Sequence, residues 1–127
     1  MTAYGFIAVG VGAALGAWAR WILGIFLNSV VPQLPLGTLT SNLVGGYLIG
    51  IAVEFLGRHA GLPPEIRLFA ITGFLGGLTT FSTYSAEAVT LLSHEEYGWF
   101  FLHMSGHLGG SLVMTVLGIY TVRALAL

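Results

Sequence analysis

The sequence predicts an all-α integral membrane protein of four transmembrane helices with almost no soluble part. Three observations carry this reading. Of the 127 residues, 56% are hydrophobic and only 7% charged, against roughly 25% charged in an ordinary soluble domain. Four basic and five acidic side chains are too few to keep a domain of this size dissolved. The charges are also segregated: no Asp, Glu, Lys or Arg occurs in 1–19, 21–53, 68–86 or 97–122. A bilayer-spanning helix needs roughly 20 mostly apolar residues.

Four spans follow, at about 4–30, 37–57, 66–92 and 97–123. The first lacks a basic start and runs past the length of a signal core, so it reads as a retained span. Pro32 and Pro35 mark a loop before the second. The spans fill one membrane domain, 1–127. The chain has no cysteine, hence no disulfide framework and no thiolate chemistry. A net charge of −1 leaves no basic patch for nucleic acid. Four spans place both termini and the loop around 58–66 on one side, with Arg58, Arg67 and Arg123. Arg20, Glu95 and Glu96 fall towards the other side. The positive-inside rule then weakly favours cytoplasmic termini.

Each span contains one G-x-x-x-G: Gly12 with Gly16, Gly46 with Gly50, Gly73 with Gly77, Gly106 with Gly110. Small residues at this spacing let backbones approach closely where lipid removes the hydrophobic drive between helices. Four short helices enclose a solute path poorly, which favours an oligomer, most simply a dimer.

The third span holds the most distinctive segment, Thr72-Gly-Phe-Leu-Gly-Gly-Leu-Thr-Thr-Phe-Ser-Thr-Tyr-Ser85. Paired glycines and a run of hydroxyls weaken a helix there. Irregular backbone at membrane depth survives only when buried in protein or lining a wet cavity, and a broken helix exposes groups that bind ions. The alternative is an intact helix whose hydroxyls bond back to the preceding turn. No Gly-Lys-Ser/Thr follows, so this is not a phosphate-binding loop.

Other polar residues lie deep in the spans. Asn42 admits two equal readings, a cross-helix hydrogen bond or an amide aimed at a pore. His103, His107, Ser111 and Thr115 step by four and share one helix face, which points to a cavity or a partner helix. Two His at i, i+4 suit zinc, but the metalloprotease Glu is missing and the sequence offers no third ligand. Glu54 and Glu87 are candidate proton or cation sites, with Glu54 also placed to pair with Arg58 one turn on. Arg20, between Trp18 and Trp21, reads as an interfacial anchor.

Several of these segments, taken together, resemble a known family. Gly37-Thr38-Leu39 with Asn42-Leu-Val-Gly-Gly46, the third-span segment 72–83, Gly110-Ser-Leu-Val-Met-Thr115 and Arg20-Trp21 resemble the bacterial fluoride channels of the Fluc or CrcB family. The resemblance runs along the whole chain, in order. It implies an antiparallel, dual-topology homodimer in the bacterial cytoplasmic membrane, with two fluoride pores. It also implies a structural sodium ion at the dimer centre, held by backbone carbonyls that fall on Gly76 and Thr79. The pore aromatics fall on Phe81 and Tyr84, the pore asparagine on Asn42, and the hydroxyl track on Ser82, Thr83, Ser111 and Thr115. Two departures stand out: Tyr84 replaces a Phe, and His107 occupies a pore-side position where other members can have Ser.

The chemistry agrees with a small anion. Fluoride is strongly hydrated, so a pore must replace its water with donors such as amides, hydroxyls and aromatic ring edges. A cation path would rather show acidic rings. The rival reading is a small proton-coupled multidrug or organic-cation exporter, which needs a carboxylate in its first helix. That helix has none here.

Overall fold

Thr2 starts the first helix by accepting a hydrogen bond from the Gly5 N–H on its hydroxyl at 2.9 Å, which satisfies one of the unpaired donors of a helix N-terminus. In the computed structural model, which describes residues 1–127, this helix, α1, runs Ala3–Leu27. Asn28 closes it and also serves the next one. Its Oδ1 accepts from the N–H groups of Gly37 at 2.7 Å and Thr38 at 3.2 Å, at the start of α2 (Leu36–Arg58), directly after Pro35.

The following segment is helical in pieces. Pro64 sits in the first turn of α3 (Pro64–Arg67), where its missing N–H costs nothing. An eight-residue stretch with the wider i→i+5 turn of a π-helix follows, Leu68–Leu75, then α4 (Gly76–Leu78). Thr79 (φ −91°, ψ 153°) and Thr80 (φ −148°, ψ 117°) are extended. The chain resumes as α5 (Phe81–Ser93) and ends with α6 (Tyr97–Ala124). The irregularity therefore falls on the two threonines, while Gly76 keeps right-handed helical geometry (φ −62°, ψ −37°). Three helices, α1, α2 and α6, are long and apolar enough to cross a membrane, and the divided segment lies beside them.

Two helix pairs organise the bundle: α1 packs along the π-helical stretch and α4, and α2 packs along α6. Glycines make both approaches possible. A methyl group on Gly77 would meet the Ala13 carbonyl oxygen and, at 2.9 Å, the Ala17 nitrogen. One on Gly118 would meet the Tyr47 carbonyl oxygen and, at 2.9 Å, the Ile51 nitrogen. Three of the G-x-x-x-G pairs lie at these backbone contacts. The fourth does not: Gly106 and Gly110 face only the side chains of Leu39 and Leu43. In α6 the close approach belongs to Gly118.

At the far end of the α2–α6 pair, Glu54 accepts from Arg58 Nε at 3.2 Å and Arg123 Nε at 3.0 Å. This carboxylate ties two helix ends together. The single chain hides few residues. Only 20 of 127 are buried, and Trp18, Trp21 and Phe81 are all more than half exposed. An apolar surface this extensive belongs against lipid or a protein partner.

Candidate functional site

Of the two extended threonines, Thr79 keeps its N–H on the Leu75 carbonyl at 3.0 Å, and Thr80 needs hydrogen-bond partners that a helix would have supplied. Asn42 on α2 provides them. Its Oδ1 accepts from the Thr80 N–H at 2.8 Å, and its Nδ2 donates to the Thr80 carbonyl at 3.1 Å. A carboxamide pairs here with an extended peptide as a neighbouring strand would. This two-point clamp also fixes which end of the amide is which. The second Nδ2 hydrogen therefore points at His107 Nδ1, 2.9 Å away. The Asn42 amide thus bonds across helices on every side.

Other groups close the remaining gaps. Thr80 Oγ1 accepts from the Thr83 N–H at 3.1 Å and caps α5, with Ser82 Oγ 3.3 Å away. Thr79 Oγ1 donates to the Leu75 carbonyl at 2.8 Å. The Gly77 carbonyl, which would be bonded by residue 81 in an unbroken helix, accepts from Arg20 Nε at 3.0 Å. Arg20, between its outward-facing tryptophans, thus ties α1 to α4 through Nε, a structural role alongside that of an interfacial anchor. Arg20→Ala should destabilise the fold by about 1.5–3 kcal/mol, the range for hydrogen bonds from charged groups. Urea unfolding in detergent micelles, with Arg20→Lys as a partial rescue, measures it.

A cleft of about 670 Å³ opens beside the extended residues. Asn42, Gly76, Thr79, Phe81, Tyr84, His107, Ser111 and Thr115 all line it, together with Thr80 and apolar side chains. Ser82 and Thr83 do not. No Asp, Glu, Lys or Arg is among the lining residues. Phe81 and Tyr84 meet edge to face, with ring centres 5.5 Å apart at 62°. The Tyr84 ring also lies 4.7 Å from that of His107 and 5.1 Å from that of His103. Thr115 spends its hydroxyl hydrogen on the carbonyls of Gly46, at 3.0 Å, and Ser111, at 2.9 Å.

Behind Tyr84 lies a buried polar cluster. Glu87 Oε2 accepts from Thr38 Oγ1 at 2.8 Å. His103 Nε2 donates to the Tyr84 carbonyl at 3.2 Å and lies 3.6 Å from Glu87 Oε1. His107 completes the group, one candidate ligand atom of each residue lying within 4.8 Å of the others. The sequence offered no third partner for the two histidines, and α5 supplies it. The sequence marked Glu87 as a proton or cation site on its own, but no spacing could have joined it to the histidines, because α5 and α6 meet only in the fold.

Comparison with known proteins covers nearly the whole chain. The chain is 63% identical over 126 residues to the "Fluoride-specific ion channel FluC" of Nitrosospira multiformis, covering 99% of this chain and 98% of that one. It is 62% identical to the protein of the same name from Cupriavidus pinatubonensis (96% and 97% covered). The identity to that of Ralstonia pickettii is 63% (97% and 98% covered). The family described as "CrcB-like protein, Camphor Resistance (CrcB)" matches residues 7–119. A match of that extent, with relatives this similar along their full length, means that the chain belongs to the CrcB family.

Proposed function

We propose that the protein is a fluoride-selective ion channel that passively exports cytoplasmic fluoride and so lowers its toxicity. The observation that carries this reading is the lining of the cleft: an amide, hydroxyls, imidazole and aromatic ring edges, with no charged side chain. The hydrogens of Asn42 and Thr115 are held by protein acceptors, so the Ser111 hydroxyl and the aromatic ring edges are the groups that replace the water of a small anion, with no fixed cation to hold it in place. The names of the relatives agree with it. Hydrogen fluoride enters as the neutral acid and dissociates inside, and an inside-negative potential drives the anion out by about 2.3 kcal/mol per 100 mV. No coupling machinery is required.

The working unit is an antiparallel homodimer in the bacterial inner membrane, inserted in both orientations. The open cleft and the exposed Phe81 support it, since each lacks a cover in one chain. The small arginine bias supports it too. In this unit the extended threonines lie at membrane depth, and Ser82 and Thr83 extend the hydroxyl track beyond the cleft.

The residues fit a structural sodium ion at the dimer centre. Thr80, four residues after Gly76, gives its N–H to Asn42, and Thr83, four after Thr79, gives its own to Thr80 Oγ1. The Gly76 and Thr79 carbonyls are thereby freed from helical bonding, and two copies would bring four such oxygens together. Oxygen ligands of this kind suit a hard cation. The ion would supply positive charge that holds the crossing together, while Phe81 and Tyr84 guide fluoride beside it.

Expression in a bacterial strain lacking its own fluoride export tests the function. Growth should be restored in millimolar fluoride, and unchanged sensitivity at normal expression would count against the reading. C-terminal reporter fusions test the topology. Signal from both sides of the membrane is expected, and adding one or two Lys at the N-terminus should shift the ratio towards internal termini.

A further inference from the structure

We infer that Glu87, His103 and His107 form a binding site for a divalent transition-metal ion of the zinc class, and that its occupation closes the fluoride path. The second half rests on the channel reading above; the first does not.

The donor set is two imidazoles and one carboxylate, with one ligand atom of each within 4.8 Å of the others. Zinc binds such ligands at roughly 2.0–2.2 Å, which separates them by ~3.4 Å in a tetrahedron, so side-chain shifts of about 1 Å close the site. Magnesium and calcium prefer all-oxygen sets and are poor candidates. A second observation points the same way. Glu87 Oε1, His103 Nδ1 and His107 Nε2 are each buried with no hydrogen-bond partner, where buried polar atoms ordinarily have one. One ion among the three residues would supply the missing partner of Glu87 Oε1 and of His107 Nε2.

The surroundings are those of a ligating shell. Thr38 holds the other oxygen of Glu87 at 2.8 Å. The Tyr84 carbonyl can only accept, so it fixes the hydrogen of His103 on Nε2 and leaves the Nδ1 lone pair free. Entry is available, because His107 lines the cleft and the Glu87 side chain is 17% exposed.

His107 links the ion to the pore. Asn42 donates to its Nδ1, so the neutral ring carries its hydrogen on Nε2. Binding an ion at Nε2 moves that hydrogen to Nδ1, with no net change in proton count. There it faces the Asn42 N–H, donor against donor. The Asn42 amide is planar and rigid, so it turns its N–H away from His107 only by shifting both bonds to Thr80, and the clamp on the extended backbone loosens.

The test uses the full chain without a histidine tag, purified in detergent. Equilibrium dialysis against Zn²⁺ alone should give one ion per chain in the micromolar range. Co²⁺ in its place should give the strong visible absorption of a tetrahedral site. His103→Gln and Glu87→Gln should each weaken binding at least about 10- to 100-fold. Should His103→Gln fail to elute as folded protein, Thr38→Val, which removes only the support of Glu87, reads the same site. Absence of stoichiometric binding overturns the proposal. So does binding unchanged in the variants, which would place the ion on His59 or His94. In liposomes, Zn²⁺ should suppress fluoride efflux by the wild type, and less so by Glu87→Gln, each relative to its own zinc-free rate. Binding without suppression overturns the closing of the path. A lack of fluoride efflux before zinc is added overturns the channel reading instead, and leaves the dialysis result as it stands.

Discussion

Asn42→Ala is expected to reduce fluoride efflux by roughly 100-fold or more while the helices still assemble. The Asn42 amide bonds both backbone groups of Thr80 and touches His107. Without it, a donor and an acceptor lose their partner in a site shielded from water. Each such loss costs about 1–3 kcal/mol, and about 1.4 kcal/mol is a factor of ten in population. Together they shift Thr79 and Thr80 out of the extended form in most molecules. Asn42→Asp separates two contributions. It keeps the oxygen that accepts from Thr80 but removes both donated hydrogens and adds a negative charge to an otherwise uncharged cleft. It should conduct less than Asn42→Ala. Efflux into an ion-selective electrode reads both, with gel filtration to show folded protein. An Asn42→Ala channel running near the wild-type rate would mean that Thr80 is held by something other than this amide.

The second large effect is on the fold. Gly77→Ala adds one methyl group, yet it should leave little or no monodisperse protein. The new carbon would strike the backbone of α1 at Ala13 and Ala17, and a backbone cannot move aside as a side chain can. Overpacking of a well-packed core commonly costs about 1–3 kcal/mol; here the clash is with backbone, and α1 and α4 must separate along their length. Arg20 would also lose its reach to the Gly77 carbonyl. Gly57→Ala is the matched control, since nothing lies within 4 Å of its added carbon. It should be neutral or slightly stabilising, because Ala is the better helix former by up to about 1 kcal/mol. Thermal unfolding of the two proteins in one detergent tests the pair.

What the sequence revealed depended on whether the information was local. Charge-free stretches and prolines are local, and α2 begins directly after Pro35. The glycine pairs of α1, α2 and the third segment were legible because close packing in lipid selects that spacing. The pair in α6 misled, since a motif does not say which face of its helix is used, and Gly118 does the work instead. The paired glycines and the hydroxyl run together marked 72–85 as the place where the helix weakens; the extended residues within it are Thr79 and Thr80, because Asn42, 38 positions away from Thr80, decides where extended backbone can be satisfied. The same limit hid Asn28 as the partner of the α2 N-terminus, Arg20 as the partner of Gly77, and Glu87 as the neighbour of the histidines. Each is a contact between helices, and sequence spacing carries no record of it. The cleft was legible in part: Asn42, Phe81, Tyr84, His107, Ser111 and Thr115 line it, whereas Ser82 and Thr83 turn elsewhere.

An uncharged cleft with this lining should pass fluoride and refuse larger halides. Purified protein in liposomes loaded with equal fluoride and chloride tests it in one recording, with valinomycin added to release the potential and an electrode for each anion. Rapid fluoride release with chloride retained at the level of protein-free vesicles is the expected result. Equal release of the two anions, or release of neither from vesicles that contain folded protein, would contradict it.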